Sequence, residues 1–436
     1  MIFGRSKNVK EEEEEALEIE YVLFQGAQNG KDANLAANAK LARAGLIPAK
    51  EMLTDALLRR AETIRLDVKG KVAVITLLID GVRYPGGRMS RQQALAVTQM
   101  LKLLAGLNVS QRKQSQSGGV KAELQKTPYI VNVESTPVAD GAERLTLRIT
   151  NINNRPETPD DLGFTQEFRS KIREFTGHKK GLVLVCGHPY SGSSTTIFGV
   201  LRTIDAYMYT LYRFADIDDR ELMHVVAFEA NPQEDLATTI KRCVRVEADV
   251  IYLNPISDAE TARTVFSMHD QVAMLAEFVA KDAVHGLLQL NKWLKNPKLL
   301  ATGLQAIISQ KLIRLLCDKC KEAYRPNPKL VAKVGLPPET KVLYRPPQPI
   351  AEPQGGEELE SCQQCGEVGY FGRAGMYEMI ELTDSMRQMI AKDPSAKDIK
   401  AQVRKEKMQT LQQEGLRLVA EGKTTLEELK RVFKSS

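Results

Sequence analysis

Apolar positions along this chain change their period several times, and the changes divide it into segments. From 34 to 60 they recur at helical spacing, interrupted near Gly45-Leu-Ile-Pro48. Two runs of strand character follow at 63–68 and 71–79, joined by Lys69-Gly70, and Asp80-Gly81 marks a turn. The stretch 90–107 predicts an amphipathic helix with Ala94, Val97, Leu101 and Leu104 on one stripe. The polar segment 111–119 predicts a loop, and 129–133 with 144–149 predict another strand pair. Together these make 34–150 a small α/β domain. The polar segment 151–160, with two prolines, reads as a linker.

Beyond it the pattern changes. The short β-branched run Gly181-Leu-Val-Leu-Val-Cys186 predicts a buried strand, and 224–228 and 249–253 predict two more, with helical stretches between them. Such alternation predicts a mostly parallel sheet with helices on both faces. Residues 161–436 then form one larger unit with an insertion at 314–378 and a helical end at 379–436. At the other terminus, 1–33 carries five consecutive glutamates after Lys10 and a polar, glycine-containing stretch at 25–32. That composition predicts a solvated, disordered acidic tail.

The length of 436 residues allows two or three domains with sizeable cores. Hydrophobic content of 43% and charged content of 27% fit an ordinary globular protein. A net charge of +6 does not by itself argue for nucleic acid. No apolar run approaches the roughly 18–20 residues that span a bilayer. The start lacks a signal-peptide core, so a cytoplasmic location is expected.

The candidate chemistry begins at Gly187. Residues 187–196 read Gly-His-Pro-Tyr-Ser-Gly-Ser-Ser-Thr-Thr. Against the phosphate-loop pattern G-x-x-x-x-G-K-[ST], Gly187 and Gly192 occupy the glycine positions and Ser194 the hydroxyl position. Ser193 stands where the lysine belongs. Strand, glycine loop and helix start together make an anion site. Gly187, Gly192, Ser193, Ser194 and Thr195 are therefore the candidate nucleotide-binding residues. The missing cation leaves ATP with Mg2+ an open alternative, and Pro189 and Tyr190 can reshape or block the loop. A plain Ser/Gly-rich turn is the other reading.

The second candidate site is a set of thiols. Four of the six cysteines fall in Cys317-Asp-Lys-Cys320 and Cys362-Gln-Gln-Cys365. Two C-x-x-C pairs match the closed four-thiolate site of structural Zn2+. Lys319 and Lys321 can offset the charge of such a site. Neither pair opens a thioredoxin-like βαβ unit, which argues against redox work. Cys186 and Cys243 read as small buried apolar residues. His188, His224 and His285 lack metal-triad spacing. Trp293 and the alternating basic run 397–407 read as parts of amphipathic helices.

The order of further motifs resembles that of the type II secretion and type IV pilus assembly ATPase family. Asp80-Gly81-Val82, Leu104-Ala-Gly-Leu-Asn108 and Leu145-Thr-Leu-Arg148 resemble its N-terminal domain. Asp161-Leu-Gly-Phe164, Ala248-Asp-Val-Ile-Tyr-Leu253, Asp258-x-Glu-Thr-Ala262 and Gln310-Lys-Leu-Ile-Arg314 resemble its motor domain. So do Gly372-Arg-x-Gly-x-Tyr-Glu378 and the tail from Met408 to Glu428. The resemblance spans roughly residues 50–436. It implies a RecA-like P-loop motor domain behind a small N-terminal α/β domain, a two-lobed protomer, a hexameric ring and a bacterial inner-membrane partner. It also carries the zinc element.

The departures fall on chemistry. Asn254-Pro255 replaces the family's Gly-Glu, whose glutamate polarises the attacking water. The histidine motif maps onto 276–283, where no histidine stands at the key position and Asp282-Ala283 survives. The acidic box keeps Glu229, but its second acid is Ala230. Thr76, Leu77 and Leu78 replace basic residues, Asn132 replaces a phosphate-facing arginine, and Arg148 is kept. Lysine, glutamate, histidine and arginine serve different parts of one phosphoryl transfer.

Three functions follow in order. The first is a hydrolysis-deficient structural or regulatory subunit in a homomeric or mixed ring, beside an active paralogue and bound through partners to the inner membrane. The second is an active motor with substitute residues, Lys281 being the candidate cation. The third is a zinc-dependent nucleic-acid binder, which lacks the aromatic-basic interleaving that stacks bases.

Overall fold

The computed structural model describes residues 20–138, 141–154, 156, 158–188, 191–217, 220, 222–347 and 362–434. The chain divides into two compact units, Met1–Arg155 and Pro156–Ser436.

The first unit contains β1 (Leu23–Ala27), α1 (Ala39–Leu58), β2 (Thr63–Lys69), β3 (Val72–Ile79), β4 (Val82–Ser90), α2 (Arg91–Leu104), β5 (Gln116–Leu124), β6 (Thr127–Pro137) and β7 (Glu143–Asn151). Its sheet runs β1-β5-β6-β7-β2-β3-β4, with every neighbouring pair antiparallel. Alternate residues of β3 turn inward, and Ile75 and Leu77 join Leu53, Val97, Leu101, Val131 and Leu147 in one core.

Three expectations are corrected here. The helix at 34–60 does not break: α1 runs through Pro48. Gly45 instead marks a close helix approach, since a Cβ there would lie 2.5 Å from the Ala96 carbonyl oxygen of α2. The predicted tail 1–33 extends too far, because β1 pairs with β5 and Val22 is buried, its amide bonded to Thr54 Oγ1 at 3.0 Å. The apolar run Tyr21-Val-Leu-Phe24 supplies that anchor, while the five glutamates lie outside the described residues. The loop expected at 111–119 gives way to β5 at Gln116. There Gly118 and Gly119 permit close approach of the Ala105 carbonyl and the Gln28 side chain.

The second unit contains α3 (Gln166–Gly177), β8 (Gly181–Gly187), α4 (Ser193–Thr203), β9 (Leu211–Arg213), β10 (Val225–Ala227), α5 (Leu236–Arg245), β11 (Val250–Tyr252), α6 (Ala259–Ser267), β12 (Ala273–Val279), α7 (Ala283–Leu294), α8 (Pro297–Gly303) and β13 (Leu304–Leu316). It continues with β14 (Glu322–Tyr324), α9 (Pro328–Val334), β15 (Leu343–Arg345), β16 (Tyr370–Glu381), α10 (Asp384–Ile390), α11 (Ala396–Lys405), α12 (Leu411–Ala420) and α13 (Leu426–Lys434). The sheet order is β10-β9-β11-β12-β8-β13-β16. All pairs are parallel except β13 with β16. One core packs Leu184, Ile251, Met274 and Ile307 on one face, and another packs Val183, Val250, Leu275 and Ile308 on the other. The mostly parallel sheet and a helical carboxyl-terminal region are as expected, whereas the 314–378 predicted as an insertion overlaps two strands of the sheet, since β13 runs to Leu316 and β16 spans Tyr370–Glu381.

Candidate functional site

β8 is buried along its whole length and delivers Gly187 to the carboxyl edge of the sheet, where such sheets take ligands. The chain re-enters helix at Gly192, whose φ of +95° suits only glycine. Ser193, Ser194 and Thr195 form the first turn of α4 and are all half-buried. Thr196 Oγ1 donates back to the Gly192 carbonyl at 3.0 Å. The five candidate residues thus gather around one strand-to-helix turn. Pro189 and Tyr190 lie outside the described residues.

Two side chains under this turn escaped sequence reasoning. Gln310, 2% exposed on β13, donates from its amide to the Ser191 carbonyl and, at 2.9 Å, to Ser191 Oγ. Glu277, 9% exposed on β12, places Oε2 3.4 Å from Ser194 Oγ and accepts from the Tyr252 hydroxyl at 3.1 Å. Its signal was a single acid inside the apolar run Ala-Met-Leu-Ala-Glu-Phe-Val. A strand that buried carries an acid only when donors meet it.

The other residues singled out in the sequence fall at the ends of neighbouring strands and helices. Asn254 and Pro255 follow β11 and are exposed. The Ala280 amide meets the Gly187 carbonyl at 3.3 Å, so Lys281 follows a residue that touches the loop backbone. The surviving acids have capping roles. Asp258 accepts from the amides of Glu260 and Thr261 at the start of α6. Asp282 accepts from the His285 amide at 2.8 Å at the start of α7, and His285 Nδ1 lies 2.7 Å from the same oxygen. Burial works to raise the Asp282 carboxyl, but these His285 bonds hold it below the usual carboxylate range. Glu378 is half-buried, and burial pushes its carboxyl up even as it accepts from the Leu411 amide at 3.4 Å. In the first unit, Arg148 stands across from Asn132 and lies 3.4 Å from Glu134.

The four cysteines meet, as their spacing predicts. β13 ends at Leu316 and β16 begins at Tyr370, which pairs with it. Cys317, Cys320, Cys362 and Cys365 close this end of the ladder, with all four sulfurs within 4.8 Å of one another. Cys317 and Cys362 are 3.9 Å apart, and Cys320 and Cys365 are 3.6 Å apart. Zinc–sulfur bonds of about 2.3 Å give a tetrahedral edge of about 3.8 Å. The donor set therefore fits a zinc ion. A hydrogen bond from the Cys365 backbone holds the Cys362 thiol down to about 7, whereas burial and the neighbouring thiols push Cys320 up. The Gly369 amide points at Cys365 Sγ from 3.4 Å, a thiolate-stabilising contact.

Among the described residues no helix is long and apolar enough to cross a membrane.

Comparison with known proteins gives these arrangements a family. The type IV pilus assembly ATPase PilB of Thermus thermophilus is 26% identical over 386 residues, covering 87% of this chain but only 42% of that protein's length. The type II secretion system protein E of Dickeya dadantii is 29% identical over 386 residues, covering 88% of this chain and 74% of its own. In fold, the chain is similar to the Legionella pneumophila ATPase DotB, with a TM-score of 0.56 at 12% identity over 90% of this chain and 96% of that one. The RecA-like architecture expected for the second unit is thus present. The type II/IV secretion system protein model matches residues 41–431, and the chain belongs to that family.

Proposed function

We propose that this chain is a hydrolysis-deficient member of its family, serving as a structural or regulatory subunit of a secretion or pilus motor. The observation that carries the reading is the first turn of α4, which offers Ser193, Ser194 and Thr195 and no cation. A phosphoryl-transfer site works by charge stabilisation, so a loop without its lysine loses the main partner of the β- and γ-phosphates. The pattern of retention supports the same reading. Asp258 and Asp282 persist where they cap helices, and the family's water-polarising position holds Pro255. A proline has neither a base nor an amide hydrogen. The relatives named for type II secretion and type IV pilus assembly supply the class of machine. Within it the chain joins a ring of like subunits or a mixed ring with an active paralogue, held at the inner membrane by platform proteins, with zinc as a structural cofactor.

The test is turnover by purified, zinc-loaded protein with Mg-ATP. The expected result is no hydrolysis above background. Robust magnesium-dependent turnover overturns the reading.

A second reading, an active motor with substitute residues, draws on two observations: Glu277 is an acid beside Ser194, and Lys281 follows the loop-contacting Ala280. It requires Lys281→Ala and Glu277→Gln each to depress a measurable turnover.

A further inference from the structure

We infer that the exposed basic face of α11 is an interaction surface for an acidic segment, and that its occupant is the glutamate run Glu11–Glu15 of a second copy of this chain. The contact involves no nucleotide chemistry, so it stands or falls apart from the turnover that tests the proposed function.

Three observations carry it. The first is the face itself. Ile399 and Val403 bury one side of α11 in the core that holds Leu184 and Ile251. Lys397, Lys400 and Arg404 are exposed, and their spacing of three and four residues sets them on one face. With Ala396 and Ala401 they line a hollow of about 350 Å³. The second is that this charge is not answered locally. The acids of the segment are engaged elsewhere: Asp398 closes a capping box with Ser395, and Glu406 accepts from Thr383 Oγ1 at 2.7 Å. Among the described residues no acid stands within ion-pair distance of Lys397, Lys400 or Arg404, and Lys400 acts on Asp282 and Glu378 through space. Like charges at this spacing repel one another on a helix. The third is a complement in the same sequence. Glu11–Glu15 is the longest run of one charge in the chain, and it lies outside the described residues.

Run and face match in length as well as sign. Five extended residues reach about 17 Å, and the ten residues of α11 rise about 15 Å. The small side chains of Ala396 and Ala401 let an acidic backbone approach all three cations. Each copy offers one run and one face, at opposite ends of its sequence, which is the condition for a head-to-tail contact that repeats from copy to copy. A single exposed ion pair is weak, so the attraction is collective. It fades with salt, because the screening length shrinks from about 8 Å at 0.15 M to about 3 Å at 1 M.

The experiment titrates a fluorescent peptide of residues 8–20 into full-length, zinc-loaded chains. In the first acceptor, Glu11→Gln, Glu12→Gln, Glu13→Gln, Glu14→Gln and Glu15→Gln remove the chain's own run. The second adds Lys397→Glu, Lys400→Glu and Arg404→Glu. The third instead adds Lys292→Glu, Lys295→Glu and Lys298→Glu, so that it matches the second in net charge. The expected result is binding by the first and third acceptors, weaker on the order of tenfold or more in the second, and lost at about 1 M salt. Equal affinity of the second and third acceptors overturns the inference, and so does a first acceptor that does not bind. The unfolding midpoint of each is recorded, and if the triple reversal prevents folding, Lys400→Gln with Arg404→Gln replaces it. Isotopically light and heavy natural chains, mixed at high salt and dialysed together, are then cross-linked with a carbodiimide. Mixed-mass links between 11–15 and Lys397 or Lys400 support a second copy, whereas links within one mass alone overturn it. Phosphatidylglycerol vesicles and a single-stranded oligonucleotide are offered to the first two acceptors. Retention of either that depends on α11, without peptide binding, assigns the face to that anion and overturns the inference.

Discussion

Lys102 Nζ lies 2.6 Å from Glu143 Oε1, with the lysine side chain wholly excluded from solvent. The pair joins α2 to β7 inside the first unit. Lys102 also donates to the Gln111 carbonyl at 2.6 Å, and Ser135 Oγ donates to Glu143 Oε1 at 2.6 Å. A buried pair gains little over well-packed apolar residues, but breaking it strands a charge. Lys102→Met is therefore expected to cost about 3–5 kcal/mol. The double variant Lys102→Met with Glu143→Leu is expected to recover most of that loss. Amide exchange in β6 and β7 of the full chain reads both. Equal destabilisation by the single and double variants would contradict a stranded charge.

Glu428 anchors the carboxyl-terminal helix by a similar device with a clear pH signature. Arg314 Nη2 meets it at 2.7 Å and Arg431 at 2.6 Å, and its side chain is fully buried. Burial pushes its carboxyl up, yet the Arg431 and Arg314 hydrogen bonds prevail and hold it at about 2, against an ordinary value of 4.5. A depressed carboxylate stabilises the fold fully above its unfolded value. That contribution fades as pH falls from about 4.5 towards 2. The integrated loss is on the order of 3 kcal/mol. Glu428→Gln is expected to destabilise α13 at pH 7 and to flatten the acid limb of the stability curve. An unchanged limb would place the acid sensitivity elsewhere.

The thiol cluster predicts metal behaviour. Cys362→Ser or Cys365→Ser is expected to reduce bound zinc from about one per chain to near none, since structural sites need all four ligands. Proteolysis should then cut between 317 and 365 first, because coordination is part of the folding energy of such modules. Zinc affinity should also fall steadily as pH drops, because each thiolate ligand that takes up a proton must lose it again to bind the metal. Metal analysis of dialysed protein across pH checks both. Full zinc retention in Cys362→Ser would assign the ion to another site.

Legibility in the sequence followed the range of each interaction. The strand-to-helix turn at Gly192 and the paired C-x-x-C knuckles are local spacings, and the structure shows the turn and brings the four thiols together. The parallel sheet followed from alternation of apolar runs, although β9, in the mixed run Leu211-Tyr-Arg213, was not among the strands predicted. Errors arose where a distant contact decided the outcome. Gly45 and Pro48 look like breakers until α2 packs against α1. The strand β1 looks like tail until β5 pairs with it. Glu277 and Gln310 sit inside stretches that resemble family motifs, but nothing local marks either side chain. Their importance depends on β12 and β13 flanking β8, an arrangement that no window of sequence contains.

The surviving acids give the last test of whether the scaffold outlived the chemistry. Asp258 and Asp282 fall in stretches that resemble motifs of the family, and each accepts backbone hydrogen bonds at a helix start. If capping is why they remain, Asp258→Ala and Asp282→Ala should each cost about 1 kcal/mol, within the 0.5–2 range of cap losses. Asn or Ser at either position should restore most of it, because both can accept from the same amides. Asp282 carries an added acid dependence, since its carboxyl is held below the usual range by His285. Its share of stability is present above the ordinary carboxylate value and is lost as pH falls through the lowered one. Thermal unfolding of the Ala and Asn variants at neutral and acid pH measures these effects. An Asp282→Asn protein that is stable at neutral pH but changes nucleotide affinity would show that the residue still faces a ligand, and would return this motif to the machinery of the motor.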